Sequence, residues 1–275
     1  MPSSATSDPS GRSGRSGRSG RRRGRIGWSV TGTAVTIATG GYWAFFSPYA
    51  QHFGPFPYRR VTTEKVVALT FDDGPNEPFT SQIADLLGSR GIAATFFQVG
   101  ACVERYPGIT ERLVRDGHEI GSHSYSHRFS HCLRWSRQRP DLERGQRALT
   151  SVLGAPPTLF RPPWLFRHPG MLRFLRSQGM VPISGRFAHA FEVFQPSPER
   201  IAHRAISKTT PGTILIFHDG LDARTGDRRR TVEAVELVAD ALLARGYRFV
   251  TVSRLLGITQ PRSGHPGRPI PAVDP

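Results

Sequence analysis

The stretch KVVALTFDDGPN, Lys65–Asn76, governs how the whole chain is interpreted. Its first half is almost wholly apolar and rich in valine, which is typical of a buried strand. Two carboxylates, Asp72 and Asp73, follow at its end, and then Gly74 and Pro75. Because consecutive strand residues point to opposite faces, both acids can face the end of the strand only if the backbone leaves β geometry there. Glycine and proline permit this change, so the sequence predicts a strand that carries two acids to one edge of a sheet.

Beyond this strand, short apolar runs alternate with helical patterns, which predicts parallel strands joined by helices. No Gly-x-Gly-x-x-Gly follows the first strand, so the pattern does not favour a dinucleotide-binding sheet. We predict an α/β fold, an incomplete or distorted (β/α)7-type barrel with its chemistry at the carboxyl ends of the strands. The seven predicted strands are Val66–Phe71, Ala94–Val99, His118–Gly121, Leu159–Arg161, Val181–Ser184, Thr213–Phe217 and Phe249–Val252.

The 275 residues carry a formal net charge of +16, and half of this excess lies in residues 1–60. Residues 1–25 repeat Gly-Arg-Ser and contain no apolar cluster, which predicts a disordered Arg/Gly/Ser-rich arm. We interpret the arm as a topology determinant. Binding of anionic lipid or nucleic acid is the alternative, and we expect no nucleic-acid partner.

Residues 26–50 lack Asp, Glu, Lys and Arg and have aromatic residues near both ends, so we predict a signal-anchor transmembrane helix. A cleaved signal peptide and a soluble or peripheral segment are the alternatives. The preceding arginines predict that the remainder lies outside the cytoplasm, anchored to the membrane, or secreted if the segment is cleaved. A linker is expected over 51–61, the main domain over 62–258 and a flexible Pro/Gly-rich tail over 259–275.

Two histidines follow the third predicted strand, at positions 123 and 127 of the stretch HSYSH. A spacing of four places both imidazoles on one face of a helical turn, as a single metal ion requires. A pair of surface histidines is the plain alternative, because this spacing is common without a metal. An oxygen ligand from Asp72 or Asp73 would complete a metal site.

Four motifs follow one another at the ends of predicted strands: Thr70–Pro75 (TFDDGP), His123–His127 (HSYSH), Arg161–Trp164 (RPPW) and Ile214–Asp219 (ILIFHD). In this order they resemble the motifs of the polysaccharide deacetylase family with the NodB homology domain, carbohydrate esterase family 4. The resemblance covers roughly Val66–Leu256. It implies a NodB-like barrel and a metal-dependent hydrolase that removes acetyl groups from an N-acetylglucosamine-containing polysaccharide or oligosaccharide, peptidoglycan among them. The implied cofactor is a divalent metal, zinc first, with cobalt or a similar ion as the alternative.

The resemblance assigns a role to each carboxylate and imidazole. Asp73, His123 and His127 become the metal ligands, and Asp72 becomes the general base that takes a proton from water. One acid is thereby neutralised by a cation while its neighbour is left free to accept a proton.

The same resemblance implies three supporting groups. Arg161 would hold Asp72 by a charge-assisted hydrogen bond and keep it ionised. The backbone N–H of Trp164 would stabilise the oxyanion, because the two prolines before it have no N–H. His218 would protonate the departing amine.

One motif departs from the family pattern. The family has an Asp-Trp pair in which the Asp tethers the arginine, whereas residues 181–194 read VPISGRFAHAFEVF. Either Glu192 takes the place of the Asp, or His189 contacts substrate, or the tether is absent. A glycan-binding pseudoenzyme of the same fold with impaired turnover is therefore the alternative function.

Two smaller features leave alternatives open. The basic triplet Arg228–Arg230 either meets an anionic glycan or forms a solvated loop. Cys102 and Cys132 either pair in an exported domain or remain free.

Overall fold

The computed structural model describes residues 39–259. The chain divides into two compact units, Met1–Gly41 and Tyr42–Pro275, and only residues 39–41 of the first unit are described. The predicted arm over 1–25, residues 26–38 of the predicted membrane segment and residues 260–275 of the tail lie outside the described residues.

The described residues form eight strands, all parallel, with helices between most of them. The strands are β1 (Val66–Asp72), β2 (Thr95–Gln98), β3 (Glu119–Ser122), β4 (Leu159–Phe160), β5 (Val181–Pro182), β6 (Arg186–Phe187), β7 (Thr213–His218) and β8 (Arg248–Phe249). The helices are α1 (residues 39–46), α2 (Phe79–Gly88), α3 (Gly100–Arg105), α4 (Pro107–Arg115), α5 (Phe129–Cys132), α6 (Trp135–Leu153), α7 (Pro169–Ser177), α8 (Pro198–Lys208), α9 (Arg229–Ala244) and α10 (Val252–Leu256).

The sheet curves into an incompletely closed barrel. Its strand order is β5-β4-β3-β2-β1-β7-β6, with β8 beside the start of β1. The outermost strands β5 and β6 are joined by residues 183–185 alone, and four peptide steps span at most about 14 Å. The two edges of the sheet must therefore lie close to each other. The predicted distorted β/α barrel is confirmed, and β6 is an additional strand that the sequence analysis did not predict.

Strand β1 has two apolar faces and is buried along its whole length. Val67, Leu69 and Phe71 pack in the core that includes α2, α8 and α9. Val66 and Ala68 belong to a second cluster, composed mainly of strand residues inside the curved sheet. Alternation places Thr70 and Asp72 on this inner face, so the strand aims the first acid into the barrel.

Residues 42–60 are packed more closely than the sequence predicts. We call residues 45–58 the strap. Of the helix predicted over 26–50, residues 39–46 are helical and residues 47–50 are not, because Pro48 lacks the N–H that a continuing helix needs. Phe56, in the predicted linker, is completely buried, so the strap belongs to the packed unit. Among residues 39–259, no helix combines the length and apolar character needed to cross a membrane.

Candidate active site

The backbone at Asp73 turns the second acid to the same end of β1 as the first. Asp73 has a φ of +78°, in the left-handed region, which Asp and Asn adopt more readily than most residues. Gly74 then passes so close to Asp219 that a Cβ at this position would overlap its carboxylate. Asp219 accepts hydrogen bonds from Gly74 N (3.1 Å) and from the Thr80 hydroxyl (2.6 Å). These bonds hold the backbone turn at Asp73 and Gly74, which directly follows β1.

Asp73, His123 and His127 converge on one point. Asp73 Oδ1 lies 3.4 Å from His123 Nε2 and 3.2 Å from His127 Nε2, and the three ligand atoms lie within 4.8 Å of one another. All three side chains are buried. Asp73 Oδ1 has no hydrogen-bond partner among the described residues, which is costly for a buried carboxylate oxygen. A cation at this point would satisfy it, so these residues fit a metal ion.

Outer contacts orient both imidazoles. His123 Nδ1 lies 2.7 Å from the carbonyl oxygen of Arg161, and because a carbonyl can only accept, Nδ1 carries the proton and Nε2 is free to bind a metal. His127 Nδ1 lies 2.9 Å from Asp222 Oδ1, and this contact lowers the pKa of Asp222. Asp222 also donates its backbone N–H to Asp73 Oδ2 (3.3 Å). The sequence analysis missed Asp222, since an acid in a loop after a strand carries no pattern of its own.

Asp72 is held by a completely buried arginine. Arg161 Nη1 donates to Asp72 Oδ1 (2.7 Å) and to Thr70 Oγ1 (2.6 Å). Its guanidinium lies 4.0 Å from the ring centroid of Phe97. The structure thus brings together the acid–arginine pair that the resemblance implied, and Asp72 lines the same cavity as Asp73 and the two imidazoles.

Glu192 does not serve as the tether for Arg161. It is 1% exposed, and its Oε2 lies 2.6 Å from His218 Nδ1 while its Oε1 accepts from the Thr231 hydroxyl. Burial alone would lower the pKa of His218, but the Glu192 carboxylate raises it to about 9. Arg161 is tethered instead by backbone carbonyls, those of Ile183 (3.4 Å from Nε) and Ser184 (3.0 Å from Nη2).

Trp164 lies at the mouth of the site in a left-handed conformation, with φ of +53°. Its ring centroid is 4.3 Å from that of His127 and 5.2 Å from that of Phe129. The residue stands in the first turn of a short 3-10 helix, Pro163–Leu165, where an N–H has no partner within the helix. A cavity of about 250 Å³ is lined by six of the predicted residues: Asp72, Asp73, His123, His127, Trp164 and His218.

The remaining predicted residues lie around this cavity. His189 lines the cavity, a position that the expected contact between His189 and substrate requires. The basic triplet is not a freely solvated loop, because Arg228 is buried and donates to the Val193 carbonyl (3.2 Å), and Arg230 donates to the Gln195 carbonyl. These bonds fasten the loop that carries Glu192.

The two cysteines take no part in the site. Within the described chain both Cys102 and Cys132 are free and buried, and burial raises the pKa of each thiol to about 12. They are inert side chains at neutral pH.

A buried carboxylate and two imidazoles, placed beside a second acid that is paired with an arginine at the carboxyl ends of parallel strands, define the class of metal-assisted hydrolases. The comparisons with known proteins agree with this class. Residues 59–183 match the polysaccharide deacetylase family. A peptidoglycan-N-acetylglucosamine deacetylase of Bacillus cereus is 32% identical over 194 residues, which are 70% of this chain and 89% of the relative.

A chitooligosaccharide deacetylase of Azorhizobium caulinodans is 28% identical over 198 residues, covering 68% of this chain and 93% of the relative. The crystal structure of the Bc1960 peptidoglycan N-acetylglucosamine deacetylase superposes with a TM-score of 0.69 at 26% identity, covering 74% of this chain and 94% of that one. The chain belongs to the polysaccharide deacetylase family, carbohydrate esterase family 4, and is a hydrolase of N-acetyl amide bonds. The pseudoenzyme alternative is not favoured.

Proposed function

We propose that this protein removes N-acetyl groups from N-acetylglucosamine residues of peptidoglycan, using a divalent ion held by Asp73, His123 and His127. One observation carries the proposal: Asp73 Oδ1 is buried and without a hydrogen-bond partner among the described residues, facing two imidazole nitrogens, while the adjacent Asp72 is paired with Arg161. The names of the related B. cereus and Bc1960 enzymes support the choice of glycan.

Two imidazole nitrogens and one carboxylate oxygen are a ligand set that suits zinc, and cobalt or a similar ion is the alternative. Held by Asp73, His123 and His127, such an ion would polarise the acyl oxygen and make a nearby water more acidic.

The side chains of this protein supply the proton transfers. Asp72 takes one proton from the attacking water as the new carbon–oxygen bond forms, and Arg161 holds the Asp72 carboxylate in place by a charge-assisted hydrogen bond. The Trp164 N–H donates to the developing oxyanion. His218, whose pKa is raised by Glu192, is protonated at neutral pH. It gives its proton to the sugar nitrogen as the carbon–nitrogen bond breaks, leaving acetate and a free amine.

A basic groove favours a glycan that bears carboxylates. A cavity of about 610 Å³ is lined partly by the site residues His127 and Trp164, and a second cavity of about 490 Å³ continues from it past Arg128. Arg137 also lines the second cavity, and neither arginine forms an ion pair within the described part of the chain. The muramic acid and peptide carboxylates of peptidoglycan are groups that these guanidiniums would attract.

The place of action remains part of the proposal and rests on the sequence alone. The arginine-dense arm and the uncharged residues 26–50 support a membrane-anchored enzyme with its catalytic domain outside the cytoplasm, or a secreted one after cleavage.

The deciding experiment measures acetate released from peptidoglycan and from chitooligosaccharides by the full chain, with and without a chelator. We expect release that the chelator abolishes and added zinc restores. Asp73→Asn should weaken zinc binding about 100-fold, because one of three ligands is lost. Asp72→Asn should keep zinc affinity within a few-fold and lower kcat about 100-fold or more. Acetate release that is indifferent to chelator would contradict the proposal, as would full activity of Asp72→Asn.

A further inference from the structure

The tether of Arg161 lies in the segment where the two edges of the barrel meet. The guanidinium donates to the carbonyls of Ile183 and Ser184, which belong to the three-residue connection between β5 and β6. Ser184 is completely buried. Because this connection lies between two strands of two residues each, its position depends on what packs against it.

The strap supplies those contacts. Ser184 donates its backbone N–H to the Pro57 carbonyl (2.9 Å) and its hydroxyl to the Pro48 carbonyl (2.8 Å). Two polar groups of Ser184 are therefore held by the strap, and the third, its own carbonyl, holds Arg161. Phe56 of the strap packs beside this point with Leu165 and Ile216.

The strap is itself fixed at two places. Gln51 closes its loop, with Nε2 donating to Phe56 O (2.8 Å) and Oε1 accepting from Phe56 N (2.7 Å). Arg167 is 1% exposed and donates its backbone N–H to Phe45 O (3.0 Å) and Nη2 to Ala50 O (2.9 Å). Its guanidinium lies 4.5 Å from the ring centroid of Phe56.

We propose that Ser184 and the strap are positioning elements for the catalytic base. They hold the carbonyls that hold Arg161, and Arg161 in turn fixes the position of the Asp72 carboxylate. The strap precedes residue 59, where the family match begins, so this support comes from outside the matched segment. The inference rests on the role of Asp72 in the proposed function.

The first test is Ser184→Ala in the full chain, which removes the hydroxyl bond to the strap and leaves the carbonyl. We expect kcat to fall about tenfold with KM unchanged, as is usual when an outer partner of a site residue is lost. Ser151→Ala is the control, because the Ser151 hydroxyl likewise donates to a backbone carbonyl, that of Ala148 (2.8 Å), but does so within helix α6 and away from the strap.

The second test is Gln51→Ala, which opens the strap without touching the core, because Gln51 is exposed. We expect a smaller loss of kcat in the same direction and faster hydrogen–deuterium exchange in residues 183–187. Zinc affinity should stay at the wild-type value in both variants, since the strap bonds described here do not reach Asp73, His123 or His127.

The inference is overturned if both variants keep the wild-type kcat, or if only KM changes, which would make the strap a substrate contact. Unchanged exchange in residues 183–187 of Gln51→Ala would also overturn it. The exchange readout needs no turnover. A wild-type protein that releases no acetate, with increased exchange in the variant, would refute the proposed function and leave the structural link standing.

Discussion

Asp72 and Asp73 are neighbours in the chain and have entirely different surroundings. Asp72 ends a regular strand and meets Arg161 inside the barrel. Asp73 adopts a left-handed backbone and meets two imidazoles. The sequence predicted that the backbone must leave β geometry here, a change that Gly74 and Pro75 permit. The left-handed residue is Asp73 itself, and position 74 requires glycine because Asp219 fills the space where a side chain would lie.

Replacement of Glu192 by glutamine removes the negative charge beside His218 while keeping the size and shape of the side chain. Glu192 raises the pKa of His218 to about 9, and a raised pKa keeps the imidazole protonated until the pH passes that value. In Glu192→Gln the pKa of His218 should fall, so the alkaline limb of the activity profile should shift to lower pH by about one unit or more.

The measurement is kcat/KM for acetate release across pH, with Glu233→Gln, an exposed acid on α9, as the control. An alkaline limb at the same pH in wild type and Glu192→Gln would show that Glu192 does not tune the acid.

His118 should make the fold sensitive to mild acid. Burial lowers the pKa of His118 to about 4, and its Nδ1 accepts from Ala94 N (3.2 Å), which requires the unprotonated ring. Below the unfolded pKa of about 6.5, the unfolded chain binds a proton that the folded chain does not. The free energy of unfolding should therefore fall as pH drops from about 6.5 to 4, by up to about 3 kcal/mol.

Urea unfolding of wild type and His118→Gln at several pH values checks this expectation. In His118→Gln the free energy of unfolding should fall less steeply between pH 6.5 and 4, because glutamine does not titrate. Equal slopes for the two proteins in this window would count against it.

At the scale of elements, the histidine loop depends on a helix that passes very close to it. A Cβ added at Gly145 of α6 would lie 2.6 Å from the carbonyl group of Ser124. In the sequence, Ser124 stands between His123 and His127, the two histidines proposed to hold the metal. Overpacking of this kind costs about 1–3 kcal/mol. Gly145→Ala should lower the melting temperature and weaken zinc binding, because the loop must shift.

Gly88→Ala is the matched control, a helical glycine whose added Cβ would meet no described atom within 4 Å. It should be neutral or stabilising by up to about 1 kcal/mol. Calorimetric zinc titration of both variants distinguishes the two cases, and wild-type zinc affinity in Gly145→Ala would disprove the expected shift.

The elements that could be predicted from sequence are those with a clear period. Strands β1, β2 and β7 contain four to seven buried residues in a row and were expected near their observed bounds. Strand β6 has two residues, too few for any period. Residues 45–50 of the strap were expected as the end of a transmembrane helix, and residues 51–58 as part of a linker, because proline and aromatic residues without periodicity resemble an exposed segment. Glu192 was noticed, but its partner is set by the turn of a loop, which sequence spacing does not determine.

At the scale of the whole molecule, the positive net charge and the groove lined by Arg128 and Arg137 favour an anionic glycan over a neutral one. The full chain should have a higher kcat/KM on peptidoglycan fragments than on uncharged chitooligosaccharides of equal length, and added salt should narrow the difference. Changing Arg128 and Arg137 together to glutamine should reduce the ratio about tenfold while leaving the neutral substrate nearly unaffected. Arg173→Gln on α7 is the control. A ratio that neither salt nor the double variant alters would refute the assignment of the groove.

The strap also determines where this chain can be shortened without harm. A protein that begins at residue 59, the first residue of the family match, lacks Phe56, whose ring is completely buried beside Leu165 and Ile216. Loss of a buried phenylalanine ring costs about 3–5 kcal/mol, and the newly wetted apolar surface invites aggregation. A protein that begins at residue 59 should thus give a low soluble yield in expression trials. A protein that begins at residue 42 keeps the strap, and with it the buried ring of Phe56.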